Sequence, residues 1–165
     1  MNALLRWIES SALSVWTRES TSVFAFPAIL SGHAIGMALA AGVNAAIALH
    51  LLGVGAGIPT RELRRFVPVV WVGVWLNAAS GVLLLVAYPT KALTNPVFYL
   101  KLSLIAVAMA IFVVINRRVF RHPPPDEWRS SAGRWLAVAS LLSWAGAITA
   151  GRLLAYTYRR LLVDF

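Results

Sequence analysis

The sequence has no cysteine, which excludes disulfides, thiolate metal sites and cysteine nucleophiles. It is also poor in acid, with 6 Asp and Glu against 15 Lys and Arg in 165 residues. None of the acids falls within a long apolar run, which argues against paired-carboxylate catalysis or a carboxylate-lined ion pathway inside those runs. Charged residues make up 13% of the chain, against roughly 25% in soluble domains. No GxGxxG, P-loop or HExxH occurs. No signal peptide is expected either, because Arg6, Glu9 and Arg18 interrupt the apolar residues ahead of Phe24 and no cleavage pattern follows them.

What the chain does have is apolar length: 59% hydrophobic residues and a mean hydropathy of +0.74. Phe24 to Leu52 is free of Asp, Glu, Lys and Arg, and a bilayer core is crossed by about 20 helical residues at roughly 1.5 Å each. The sequence predicts spans over about 24–52, 66–88, 97–119 and 135–157, within a single membrane domain over 1–165. The expected fold is all-α, an integral membrane four-helix bundle whose short connections favour antiparallel packing of sequential neighbours. Leu4, Leu5, Ile8, Ala12 and Trp16 recur at spacings of three and four, so residues 1–20 read as one short interfacial amphipathic helix with Trp7 and Trp16 at head-group depth.

Punctuation supports these bounds. Gly53 to Pro59 is a Gly/Pro-rich loop, and Thr60 with Arg61, Glu62, Arg64 and Arg65 reads as a capped, basic helix start. Pro68 is tolerated in the first turns of the second span, where Trp71 and Trp75 share a face. Asn95 can cap a helix whose first residue is Pro96. Arg117, Arg118, Arg121, His122 and the run Pro123-Pro124-Pro125 end the third span, and Ser130 or Ser131 caps the fourth.

A net charge of +9 would suggest nucleic acid in a soluble chain; here the cations sit between and beyond the apolar runs, so lipid head groups are the expected partners and nucleic acid is not. Arg61, Arg64, Arg65, Arg117, Arg118, Arg121, Arg129 and Arg134, eight in all, share one side; Arg6, Arg18, Lys91, Lys101, Arg159 and Arg160, six, share the other. The positive-inside rule then places both termini outside the cytoplasm. Small residues four apart, Gly32, Gly36 and Ala40 among them, let another backbone approach the first helix, with Gly73, Gly81, Gly146 and Ala150 as partial counterparts. Close packing within the bundle and self-association into a homo-oligomer both fit that pattern.

Intramembrane polar residues are the candidates for chemistry. His33 lies well inside the first span, and alternation of helix direction brings Ser80 and Arg152 to the same side, so the three can form one polar layer. His33 reads as a hydrogen-bonded imidazole, a metal or cofactor ligand, or a proton-relay group. Arg152 either snorkels to the interface or meets an anionic group such as a carboxylate, a quinone oxygen or a haem propionate. Met37 and Met109 are packing residues or soft ligands, and Met109 on the third helix is the nearest candidate for a second axial ligand. His50 and His122 read as surface histidines, and 17 residues separate His50 from His33, roughly 25 Å along the helix.

The segments His33-Ala-Ile-Gly36, Leu51-Leu52-Gly53, Asn95-Pro-Val-Phe-Tyr-Leu-Lys101, Ser140-Leu-Leu-Ser-Trp144 and Gly151-Arg-Leu-Leu-Ala-Tyr156 carry a resemblance that runs over nearly the whole chain. Their order and spacing resemble a bacterial family of small four-helix inner-membrane proteins described only as a domain of unknown function. That resemblance implies the bacterial inner membrane. Leu30 stands where members of that family carry an acid, and Ala48-Leu49-His50-Leu51-Leu52-Gly53 stands where they end in Asp-Leu-Arg-Leu-Leu-Gly. An early His followed by small residues is also similar, more distantly, to copper-resistance membrane proteins and to the haem-binding membrane protoporphyrinogen oxidase, which implies metal or haem at His33.

Two functions follow as expectations. The chain is a redox-associated membrane subunit that binds b-type haem or contacts quinone through the His33 and Arg152 layer, with Ser80 and Met109 beside it, and is not an enzyme on its own. Alternatively it is a non-catalytic structural or assembly subunit of a larger membrane complex, and the layer fixes helix register. Transport is a weaker third option, since there is no internal repeat.

Overall fold

The computed structural model describes residues 2–55, 57–121 and 131–161, and these are helical apart from short turns. The elements are α1 (Asn2–Glu9), α2 (Ala12–Glu19), α3 (Phe26–Leu51), α4 (Thr60–Leu63), α5 (Val67–Ala87), α6 (Pro89–Leu93), α7 (Pro96–Ile115) and α8 (Ser131–Leu161). Four stretches are long and apolar enough to cross a membrane: Phe26–Leu51, Arg64–Ala87, Pro96–Arg118 and Gly133–Tyr156. The protein is an all-α, multi-pass membrane bundle.

Local chemistry sets the helix ends. Gly53 takes φ +105°, which a side chain disfavours, and its N–H bonds to His50 O while Val54 N–H bonds to Leu49 O. That pair of bonds closes a Schellman turn over the last carbonyls of α3. Asn95 Oδ1 accepts the Val97 N–H at 2.9 Å, and Pro96 follows as the first residue of α7. Beyond Ile115 the chain widens into a π-type turn over Asn116–Arg121. His122, Pro123–Pro125, Arg129 and Ser130 lie outside the described residues.

Two expectations need correction. The N-terminal segment is two helices rather than one, because Ser10 and Ser11 bond back to carbonyls of the first and Ser11 Oγ caps the second by accepting the Ser14 N–H. Serine side chains compete for backbone groups in this way and favour caps over helix interiors. Sequential neighbours also do not all pack closely. α3 lies tightest against α5, α7 against α8, and α3 also adjoins α8, whereas the backbones of α5 and α7 barely approach each other.

Gly36 and Gly73 account for the first of these contacts. A Cβ on Gly36 would stand 2.5 Å from Asn77 N and 2.8 Å from Gly73 O, and one on Gly73 would stand 2.6 Å from Ala40 N. Only the missing side chains allow the two backbones to come so near. Between α5 and α7 the rings of Trp71 and Phe112 meet edge to face, centroids 6.2 Å apart, and hold the helices further apart.

Apolar packing gathers in one half of the bundle. Ile47, Ala48, Leu51, Val70, Ile111, Phe112, Ile115 and Ala137 form a cluster there, and Ala40, Ala41, Ala108 and Trp144 form a second near the middle. Trp75, Val72 and Val82 point outward from α5, as lipid-facing residues do. The buried Asn44, Ser140 and Ser143 lie among the apolar layers, while the opposite half carries His33, Ser80 and Lys101. At that end Arg18 ties α1 and α2 to the bundle: Nη1 donates to Ala87 O at 3.0 Å and Nη2 to Glu9 O at 2.8 Å. Both acceptors are carbonyls at helix C-termini, where partners within the helix run out and a cation is favoured.

Candidate functional site

His33 lies seven residues beyond Phe26, roughly 10 Å along α3. Its Nδ1 is 3.1 Å from Asn77 O and 3.2 Å from Ser80 Oγ. A carbonyl oxygen only accepts, and the Ser80 hydroxyl already donates to Leu76 O at 2.6 Å, so the network assigns the proton to Nδ1. Asn77 Nδ2 returns a bond to His33 O at 2.8 Å. The ring fits beside α5 because residue 81 is glycine; a Cβ there would lie 3.2 Å from His33 Cε1.

Nε2 is left with its lone pair, and Lys101 Nζ stands 3.3 Å away to donate into it. Lys101 lies five residues beyond the Pro96 start of α7, and its stem passes over Gly151 of α8, where a Cβ would lie 3.6 Å from Cε. α3, α5 and α7 thus converge on one imidazole, and α8 lies against the lysine stem.

The imidazole and the amine line a cleft between α3 and α8 with a volume of about 1010 Å³. Its α3 wall is Ala34, Ala38 and Gly42, and Gly42 faces open space, since nothing would lie within 4 Å of a Cβ there. Its α8 wall includes Ala145, Ile148 and Trp144, with Arg152 near the end. The Trp144 side chain is buried, yet its Nε1 has no hydrogen-bond partner among the described residues. No Asp or Glu occurs between Glu62 and Asp126, and none in α3 or α8, so the cleft has hydrogen-bond donors and cations but no carboxylate.

The expected polar layer is assembled in part. His33 and Ser80 are hydrogen-bonded, and Arg152 lines the same cleft while remaining exposed and out of contact with the imidazole. Met109 packs between the two apolar clusters and does not line the cleft. The methionine that does is Met37, one turn beyond His33 on the same helix and so unable to approach from an opposing wall. His50 is in the last turn of α3, away from the cleft.

Sequence reasoning does not place Lys101, Asn77 or Gly81 at the site: Asn77 reads only as a polar residue of the second span and Gly81 only as a packing glycine. Lys101 was counted there among the head-group anchors, although a lysine inside an apolar span at the level of an intramembrane histidine is itself a signal. Among the described residues no three of His, Asp and Glu come together as a set of metal ligands. Comparison with protein-family models, curated proteins and solved structures finds no match to the chain.

Proposed function

We propose that the protein is a redox-associated membrane subunit that holds a flat amphipathic cofactor, b-type haem, in the cleft between α3 and α8, with His33 as an iron ligand. The observation that carries this reading is the Nδ1–H bond of His33 to Asn77 O, which fixes the ring and leaves Nε2 as the ligating nitrogen, as in most metal-binding histidines. Gly and Ala walls supply room for a planar group, and Arg152 supplies a bidentate partner for a propionate. Bound haem would supply one-electron chemistry; the chain's own residues orient the imidazole and screen the site with apolar side chains. Met109 lies away from the cleft and would not add a second ligand to a haem held there.

A second reading, contact with a quinone, is favoured by Lys101. Its Nζ occupies the direction an iron would take from Nε2, and an ammonium donor suits a quinone oxygen. In either case we read the chain as a binding subunit rather than an enzyme on its own, placed in a bacterial inner membrane with both termini outside the cytoplasm. The sequence resemblance and the bias in Lys and Arg support that placement.

The test is an absorption spectrum of protein purified in mild detergent from haem-replete cells, with solvent extraction for quinone on the same sample. A Soret band lost in His33→Ala supports haem, and co-purified quinone lost in Lys101→Met supports the second reading. Protein that is colourless and quinone-free leaves a structural or assembly subunit, in which the His33 network only fixes helix register.

A further inference from the structure

The cleft between α3 and α8 is polar in one sense only. Lys101 and Arg152 bring two cations to its wall, and no carboxylate lies within the spans that form it. Lys101 passes over Gly151, the residue next to Arg152, so both cations belong to one level of the bundle. The lone pair of His33 satisfies one of the three hydrogens on Nζ and none of its charge. Two cations beside an apolar cleft, without a counter-ion among the described residues, call for one from a ligand.

We propose that the cleft takes an amphiphile with a carboxylate head group and an apolar body, and that Lys101 and Arg152 are the residues that recognise the carboxylate. This rests on the cleft being a ligand site and does not depend on iron. A porphyrin propionate and a fatty-acid carboxylate share the required chemistry. Lys101 carries its charge on a flexible four-carbon stem, so a carboxylate draws Nζ away from His33 and uncovers Nε2. Lys101 is thus a cap on the imidazole that the right ligand removes, and acid recognition and access to the lone pair are one event.

The experiment uses the full chain in nanodiscs of neutral phosphatidylcholine. Metal-free protoporphyrin IX and its dimethyl ester are titrated by fluorescence against empty nanodiscs, and oleate and methyl oleate serve as competitors. The diacid is expected to bind at least about tenfold tighter than the ester once membrane partition is subtracted. Lys101→Gln with Arg152→Gln should abolish that preference, and Lys101→Arg should retain it. Equal binding of acid and ester to the wild-type protein overturns the proposal, as does a preference that persists in the double variant. Displacement by oleate but not methyl oleate supports a general carboxylate site, and failure of both to displace supports a site confined to the porphyrin diacid. The haem reading fails separately: iron protoporphyrin would then show no Soret shift that depends on His33, while the preference for acid over ester remained.

Discussion

Lys101 Nζ stands 3.3 Å from His33 Nε2, and so joins the third span to the first through the one ring nitrogen that α5 does not hold. The relationship crosses 68 residues of sequence and links the two tightly packed helix pairs, α3 with α5 and α7 with α8, at their more open end.

The first prediction concerns that imidazole. Nitrogen-15 NMR of protein labelled at histidine should show His33 with its proton on Nδ1, because Asn77 O can only accept. Lys101→Met should move the Nε2 resonance and leave Nδ1 nearly unchanged. A proton found on Nε2 alone would show that the network has been assigned the wrong way round.

Gly81 is the second. A methyl group there would lie 3.2 Å from His33 Cε1, so Gly81→Ala must displace the ring by a few tenths of an ångström and lengthen its bonds to Asn77 and Ser80. We expect a loss of about 1 kcal/mol, and Gly81→Leu should cost considerably more. Equilibrium unfolding in mixed detergent micelles measures both, and an alanine variant as stable as wild type would mean the ring is not tightly seated.

Gly36→Val and Gly73→Val should be more damaging, because the neighbours a side chain would meet are backbone atoms at 2.5–2.8 Å and cannot rotate aside. A loss of about 3 kcal/mol or more is expected, at the upper end of overpacking effects, with the α3–α5 pair opened. Cross-linking of cysteines placed at Met37 and Asn77 should fall in yield in these variants. Unchanged stability and yield would argue that the two helices do not meet there.

Orientation can be read by labelling, and the native absence of cysteine makes the background clean. Cysteine at the exposed Thr90 should react with an impermeant thiol reagent added outside the cell, while cysteine at the exposed Gly57 should not. The reverse pattern would show that the eight-to-six bias in Lys and Arg points the wrong way.

The spans, the Asn95-Pro96 start of α7 and the glycine end of α3 were legible in the sequence because absence of charge, caps and glycine act locally. The order of helices around the bundle was not. In a soluble helix the apolar stripe shows which side is buried, but in lipid both sides are apolar, so the side of α5 that faces α3 looks much like the side that faces acyl chains. For the same reason the depth of Lys101 could be counted along α7, whereas its direction toward His33 could not. Ser80 was found as a polar residue at the right level; Asn77 was equally visible, but its role depends on the Gly36–Gly73 contact that brings its backbone to the ring.

Arg18 fixes the N-terminal helices against the end of α5. Its bonds go to the main-chain carbonyls of Glu9 and Ala87, with the Ser14 hydroxyl beside them, and the Glu9 carboxylate adds a bond from the Thr90 N–H at 3.4 Å. Trp7 and Trp16 remain largely exposed around that attachment and suit the head-group boundary. The position of those tryptophans is therefore set by the end of α5, and the His33–Lys101 pair keeps a constant spacing from them even where a bilayer thickens or thins around the bundle.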